Sequence, residues 1–387
     1  MKIVVATSGT LKESVSGGHE VRIFQLFKRL SMENEVHVVQ VAEEDMTWTK
    51  DRLIIHNLSP TGGRFGRYLY NKHFFIARYL FAFRVSKAIR SIGPDVADIN
   101  SWAFPISGKE YSVVATCALM PMTSSVASYI GRLSNRVDLS FLRYKMRKAD
   151  HIIYLSKQME EKFRYYQSKL KKKATYVPNG IDIDVFHPKD KSACRNKHEI
   201  PQDKRVILYC SRLEHYKRPY DFLNAFKAMG SEYMGVVAGN GPLLEDIREW
   251  VLANGLKDRL IVIGEVDQQS LSELYSASDV IIYPGELEIQ PLVPQEAMAC
   301  GTVPIVSDTL GNNEIVQHNF NGLVVKLGDI SGLAQSVKLL FNDNALYESL
   351  RKNGLEYMKN RTWENASKIT FAVYEDLILH SVSESSV

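Results

Sequence analysis

Residues 279–306 read Asp279-Val-Ile-Ile-Tyr-Pro-Gly-Glu-Leu-Glu-Ile-Gln-Pro-Leu-Val-Pro-Gln-Glu-Ala-Met-Ala-Cys-Gly-Thr-Val-Pro-Ile-Val306. The apolar run Val280–Tyr283 gives way to a loop marked by proline and glycine. A stretch of small helix formers follows, Glu296-Ala-Met-Ala-Cys300, ended by Gly301, and then a second apolar run, Val303–Val306. Strand, helix, strand with no tight hairpin turn is the repeating unit of a parallel sheet. Within it Glu288 belongs to the loop, and Glu296 is expected in the first turn of the helix, across a bend at Pro291 and Pro294. Two acids at one crevice suit a ligand with several hydroxyls, and free amides at a helix start suit an anion.

The same rhythm runs in both directions from this unit. Upstream lie the short apolar runs Ile3–Ala6, Val36–Val41, Leu53–Ile55, Val96–Ile99, Val113–Ala115 and Ile152–Leu155. After a turn-rich passage at Pro178-Asn-Gly-Ile-Asp182, the pattern restarts with Val206–Tyr209, Val236–Ala238, Leu260–Ile263, Val280–Tyr283, Val303–Val306 and Leu323–Val325. Alternating strands and amphipathic stretches mean α/β, here as two doubly wound, Rossmann-like domains, 1–178 and 179–362. Ligands of such sheets bind beyond the carboxyl ends of the strands, so the two domains are expected to face each other across a cleft. The final amphipathic stretch, 363–380, has no strand after it and is expected to pack back on the first domain.

The composition of the 387 residues, 45% apolar and 24% charged, is that of a globular protein too long for one core. No apolar run has the length of a membrane span, and Met-Lys-Ile-Val-Val-Ala-Thr7 reads as a first strand rather than a signal peptide, so a cytoplasmic location is expected. Cys117, Cys194, Cys210 and Cys300 are too scattered for a metal site or a disulfide framework and read as reduced core thiols. The net charge of +4 hides an asymmetry: residues 1–176 carry 28 basic against 15 acidic residues, and the remainder 20 against 29. A basic first half is expected to meet something anionic.

Chemistry is concentrated where strands end. After Val206–Cys210 comes Ser211-Arg-Leu-Glu-His-Tyr-Lys-Arg-Pro219, which puts Arg212 and Lys217 on one loop. A planar fork and a mobile point charge together suit a diphosphate. After the first strand, Gly17 and Gly18 precede a helix starting near His19, where bare backbone can approach a ligand. In Gly239-Asn-Gly-Pro242 the glycines are expected to serve the turn rather than a ligand.

Taken in order, these pieces resemble a GT-B glycosyltransferase of the large retaining family four. The resemblance covers nearly the whole chain. It rests on Gly17-Gly18, Asp150-His-Ile-Ile-Tyr-Leu-Ser156, Val177-Pro-Asn-Gly-Ile-Asp182, Arg212 with Lys217, Gly239-Asn-Gly-Pro242 and Tyr275-Ser-Ala-Ser-Asp279. It continues through Glu288 to Glu296 with its Ala-Met-Ala-Cys-Gly tail, Gly311 to Glu314 with Ile315-Val316, and Trp363-Glu364. The resemblance implies that Arg212 and Lys217 bind a donor diphosphate, that Glu296 holds ribose hydroxyls, and that Glu288 meets the transferred sugar. It further implies that the amides of Leu292 and Val293 support the phosphates, that Val266 lies near the base, and that Gly17 and Gly18 approach the diphosphate or acceptor. The donor would be a UDP- or GDP-linked sugar used as substrate, with no cofactor and no dedicated metal.

Three departures from the family pattern stand out. Pro291 replaces a frequent glycine and has no amide to donate. Cys117 and Ala118 stand where many relatives carry a histidine, which leaves His19, Asp98 and Asn100 as the polar candidates on the acceptor side. Retaining transfer does not require that histidine if the leaving phosphate takes the acceptor's proton. Arg218 also replaces a frequent glycine.

Residues 64–90 hold seven basic residues and no acid. Helical spacing groups Leu69, Ile76, Leu80 and Phe83 as the face buried against the sheet, and Arg67, Phe74, Arg78 and Phe81 on the opposite, outward side. Basic and aromatic residues together suit an anionic membrane surface. No nucleic-acid recognition motif is present. The expectation is therefore a retaining, metal-independent glycosyltransferase, peripheral at the cytosolic membrane face, acting on a lipid-linked or glycan acceptor. The competing readings are a sugar-nucleotide-binding module without transfer activity and a sugar-nucleotide epimerase of the same fold.

Overall fold

Along Arg205–Cys210, Val206, Leu208 and Cys210 pack into one apolar cluster and Ile207 and Tyr209 into another. A period of two with both faces buried is the condition of a central strand in a parallel sheet covered by helices on both sides. The computed structural model describes residues 1–7, 9–12, 17–60, 75–100, 111–117, 140, 143–170 and 172–384. The chain divides into two units, Met1–Asn179 with Trp363–Val387, and Gly180–Thr362.

In the first unit the strands are β1 (Lys2–Thr7), β2 (Glu35–Val41), β3 (Met46–Lys50), β4 (Leu53–Leu58), β5 (Val96–Ile99), β6 (Ser112–Cys117), β7 (His151–Tyr154) and β8 (Lys173–Tyr176). They form one sheet in the order β3-β4-β2-β1-β5-β6-β7-β8. All neighbours are parallel except β3 with β4. The helices α1 (Gly18–Leu30), α2 (Phe75–Ile92) and α3 (Lys157–Leu170) belong to this unit. β3 has no counterpart among the apolar runs. It is an edge strand joined to β4 through Asp51 and Arg52, both at positive φ, 45° and 67°. A two-residue turn with both residues left-handed matches the twist of a hairpin.

The second unit holds β9 (Arg205–Cys210), β10 (Tyr233–Ala238), β11 (Leu260–Gly264), β12 (Val280–Tyr283), β13 (Val303–Ser307) and β14 (Leu323–Val325). Its helices are α4 (Lys191–Lys197), α5 (Pro219–Lys227), α6 (Leu244–Ala253), α7 (Gln268–Ala277), α8 (Leu292–Ala299), α9 (Leu310–Ile315), α10 (Ile330–Asn342) and α11 (Asn344–Met358). The sheet order is β11-β10-β9-β12-β13-β14, parallel throughout. From β9 the chain winds outward through β10 and β11, then restarts at β12 on the other side. The point of reversal, between β9 and β12, is where the loops leaving two adjacent strands turn opposite ways and open a crevice. In the first unit the equivalent point lies between β1 and β5.

After the second unit, α12 (Trp363–Glu384) rejoins the first and lies along α1. Its Tyr374 is fully buried and donates to Asp98 Oδ2 at 2.5 Å, while Thr116 and Asn100 donate to Oδ1 at 2.7 and 2.9 Å. Burial pushes the Asp98 carboxyl up, against the Tyr374 and Thr116 hydrogen bonds and the nearby Arg22 and Lys145 charges, which favour the anion. Tyr374→Phe is expected to cost roughly 1.5–3 kcal/mol, the range for a hydrogen bond to a charged group. An unchanged urea midpoint for the first unit would show that Thr116 and Asn100 suffice.

The phase of α2 differs from the sequence expectation. Phe81 is fully buried and packs with Ala82, Val85 and Ile89 into the core under β1 and β5, whereas Phe83 is 57% exposed. Phe81 is therefore removed from the outward face and Phe83 from the inward one. With aromatics on every side of the segment, no polar face fixes its phase, and contact with the sheet decides it. Arg67, Phe74 and Leu69 lie outside the described residues, as does Ala118, and for Ile76, Arg78 and Leu80 the description is of the backbone. Among the described residues no helix is long and apolar enough to cross a membrane. All four cysteines are buried and free.

Candidate active site

The loop leaving β9 is folded by its own residues. Tyr209, at 0% exposure, shares a 2.6 Å hydrogen bond with Ser211 Oγ and reaches Lys217 O at 3.1 Å. Leu213 is buried, and its amide donates to Asn240 O at 2.9 Å, which ties this loop to the turn after β10. Gly239 at the start of that turn has φ 137°, and a Cβ there would stand 1.9 Å from Ser211 O. The glycine serves a close backbone crossing, as its place between strand and helix suggests.

A single 3₁₀ turn, His215–Lys217, then aims Lys217 inward. Its Nζ lies 2.5 Å from Glu288 Oε1 and 3.0 Å from the Tyr283 hydroxyl, and that hydroxyl donates to the same Oε1 at 2.8 Å. The Lys217 and Glu288 side chains are 15% and 8% exposed. Lys217 follows β9 and Glu288 follows β12, so the pair sits at the reversal point of the sheet. Burial and the neighbouring carboxylate push the Tyr283 phenol well above its ordinary range, so it stays a donor. A shielded pair of this kind is stable only with its partners in place. Removing one charge of such a pair costs about 3–5 kcal/mol.

Arg212 is placed differently. Its side chain is 54% exposed, and among the described residues the acid it pairs with, Glu214, approaches only to 3.5 Å. The structure thus brings Lys217 and Glu288 together and leaves Arg212 at the rim of the same loop.

Glu296 is not in the first turn of its helix. The helix begins at Leu292 after the N-cap Pro291, and Glu296 is its fifth residue. Pro294 does not break the helix because the amides of a first turn have no carbonyl partner to lose. Leu292 and Val293 are the first two helical residues, where free amides occur. Glu296 is 8% exposed, and its Oε2 accepts from Tyr275 OH at 3.1 Å. Burial raises its pKa to about 7, outweighing the Tyr275 hydrogen bond, which favours the anion. The first turn of α9 presses on the loop that carries Glu288: a Cβ on Gly311 would come 2.4 Å from the Glu288 carbonyl. Val266 follows the end of β11 and packs against the same apolar cluster as Tyr283. Beside it Glu265 accepts from Asn240 Nδ2 at 3.0 Å.

In the first unit, Gly17 is the N-cap of α1 at φ 97° and Gly18 its first residue. His19 Nε2 shares a 2.8 Å hydrogen bond with Thr7 Oγ1 at the end of β1. Burial, with Arg22 and Lys145 nearby, lowers its pKa to about 4, so the ring is neutral at pH 7. Asp98 and Asn100 are each 1% exposed and bonded to one another, and Asp98 spends both oxygens holding Tyr374, Thr116 and Asn100. Their first use is to pack α12. Sequence reasoning assigns no role to the hydroxyls of Tyr283 and Tyr275, which meet the two glutamates; Tyr283 reads as the end of an apolar strand and Tyr275 as part of a motif.

Two family models match the chain: Glycosyltransferase Family 4 over residues 16–185 and Glycosyl transferases group 1 over residues 190–357. The N-acetyl-alpha-D-glucosaminyl L-malate synthase of Bacillus anthracis is 28% identical over 183 residues, 46% of this chain and 47% of that protein. The UDP-Gal:alpha-D-GlcNAc-diphosphoundecaprenol alpha-1,3-galactosyltransferase of Escherichia coli is 29% identical over 182 residues, 45% of this chain and 46% of that protein. The chain spans about half the length of the curated relatives it matches. Among solved structures, sucrose-phosphate synthase from Thermosynechococcus elongatus superposes with a TM-score of 0.81 at 21% identity, covering 98% of this chain and 99% of that one. With both sheets wound as they are and both halves matched, the chain belongs to the group 1 glycosyltransferases of family 4 and has their GT-B fold.

Proposed function

We propose that the protein moves a sugar from a nucleoside diphosphate donor, UDP- or GDP-linked, to a lipid-linked or glycan acceptor with retention at the anomeric carbon. The observation that carries this reading is the shielded Lys217–Glu288–Tyr283 group at the reversal point of the second sheet. A cation held there can take up the charge that grows on a departing diphosphate, which is where preorganised electrostatics contributes most to rate. Lys217, with Arg212 at the rim, binds the diphosphate, and the Leu292 and Val293 amides add donors. Glu296 takes the ribose hydroxyls, Glu288 the transferred sugar, and Val266 borders the base.

In the transfer step the bond from the anomeric carbon to the phosphate oxygen breaks and the acceptor oxygen bonds to that carbon on the same face. The acceptor's proton goes to the leaving phosphate, so no protein base is required. Gly17, Gly18 and the neutral His19 serve the acceptor side. The B. anthracis and E. coli relatives act on different acceptors by their names, and the E. coli one on a diphosphoundecaprenol lipid. The basic run 64–90 of this chain supports an acceptor held at an anionic membrane surface. Sedimentation of the protein with anionic but not neutral vesicles is the expected result, and equal recovery in the supernatant from both would remove the membrane from the reading.

Release of diphosphate from a panel of UDP- and GDP-sugars tests the function as a whole. Turnover with at least one donor is expected. Tight binding of UDP or GDP with no release from any donor, with or without lipid-linked acceptor, would instead mark a binding module that has lost transfer.

A further inference from the structure

Arg218 stands between two loops with its backbone in the left-handed region, φ 54° and ψ 49°. Residues with a side chain rarely occupy that region, and they persist there when surrounding interactions over-determine them. Two acids account for the side chain. Its Nε lies 2.7 Å from Asp221 Oδ2, in the first turn of α5, and its Nη1 3.4 Å from Glu286 Oε2, in the loop after β12. On its far side the guanidinium abuts Gly328, where a Cβ would come 3.3 Å from Nη2.

The Glu286 contact is the informative one. The Glu286 amide also donates to Tyr216 O at 3.0 Å. Tyr216 and Arg218 flank Lys217 in sequence, and Glu286 lies two residues before Glu288. The loop after β9 and the loop after β12 are thus joined at Glu286 by one backbone and one side-chain link, made by the residues on either side of Lys217. Lys217 has a flexible four-carbon stem, so a close approach to Glu288 depends on both backbones being held.

We propose that the Arg218–Glu286 link is a positioning clamp that sets Lys217 against Glu288 and so fixes where the donor's diphosphate stands relative to its sugar. The proposal rests on the donor site described above and assigns Arg218 no contact with substrate. A purely local role, capping α5 through Asp221, is the alternative, and the two acids separate them. Arg218→Gly removes both contacts and relieves the backbone. Glu286→Gln takes the charge out of the clamp and leaves the Asp221 contact, and Arg218→Lys keeps the charge.

Two readouts decide it: the rate at which N-hydroxysuccinimide acetate acylates Lys217, followed by mass spectrometry, and kcat and KM for diphosphate release from the best donor of the panel. Arg218→Gly and Glu286→Gln are both expected to speed Lys217 acylation several-fold. Both should lower kcat by about ten- to a hundredfold, the cost of a small misplacement, with KM within about twofold. Melting temperatures should not fall in step with kcat, the double variant should be no worse than either single one, and Arg218→Lys should recover part of the rate. Wild-type acylation and wild-type kcat in Glu286→Gln would overturn the clamp and leave Arg218 a helix cap. Faster acylation in both variants, with no diphosphate released by the wild-type protein from any donor, would uphold the clamp and refute the donor reading.

Discussion

Lys217→Ala is expected to lower turnover by about two to three orders of magnitude while changing UDP or GDP affinity by less than about tenfold. The asymmetry follows from where charge develops. On the proposed reading, nucleotide binding draws on the amides of α8 and on Glu296 as well as on Lys217, whereas charge on the leaving diphosphate grows as the sugar–phosphate bond breaks, beside Nζ. Lys217 is also one half of a shielded pair, 2.5 Å from Glu288. Among the described residues its loss leaves that carboxylate with the Tyr283 hydroxyl as its remaining partner, so part of the activity loss reflects a weakened fold. The double variant Lys217→Met, Glu288→Gln removes both charges and separates the two effects. It should recover the melting temperature lost in the single variant without recovering turnover. Equal losses of binding and turnover in Lys217→Ala would make the residue an anchor for donor and nothing more.

Glu296→Ala is expected to weaken UDP or GDP binding by roughly 1.5–3 kcal/mol, about ten- to 150-fold in Kd, the range for hydrogen bonds to a charged group. The pH dependence is more diagnostic. Burial brings the Glu296 pKa to about 7. Ribose hydroxyls donate to an ionised carboxylate, so binding favours the deprotonated form and releases a proton below that pH. Affinity is therefore expected to tighten as pH rises towards 7, by up to about tenfold per unit, and to level off above it.

Folding responds with the opposite sign. A carboxyl whose folded pKa exceeds its unfolded value stabilises the fold fully below the unfolded value. That contribution, of the order of 3 kcal/mol for a shift from 4.5 to about 7, is lost as pH rises through the folded pKa. Glu296→Gln should abolish both slopes. Calorimetric titration of UDP and GDP between pH 5.5 and 8.5 checks the first. A Kd for the wild-type protein that does not vary over that range would remove Glu296 from the ribose.

The α/β class was legible because the strands are buried on both faces. Each apolar run read from the sequence falls in a strand to within one residue. β3 escaped because Met46-Thr-Trp-Thr-Lys50 is a half-exposed edge, and because its turn at Asp51–Arg52 contains neither glycine nor asparagine to announce positive φ. The phase of α2 was illegible for a different reason. Phe81 and Phe83 are equally apolar, and only the packed sheet distinguishes them.

At the site, Lys217 and Glu288 could be found from their places after two strands. Position along a chain says where a loop starts but not which side chains turn inward, so Arg212 and Lys217 looked alike until the 3₁₀ turn separated them. Tyr283 could not be found as a hydroxyl, since an apolar strand is read by its ring. Glu296 was set one turn too early because Pro294 was treated as a breaker, although a proline in a first turn costs no hydrogen bond.

The proposed activity requires a nucleoside diphosphate sugar seated beyond β9 and β12. Hydrogen–deuterium exchange of the purified protein with and without saturating UDP or GDP addresses this most directly. Slowed exchange is predicted for residues 211–218 and 286–296, with no comparable change at the β3–β4 edge of the first unit. Unchanged exchange in both segments, with a nucleotide that calorimetry shows to be bound, would contradict it.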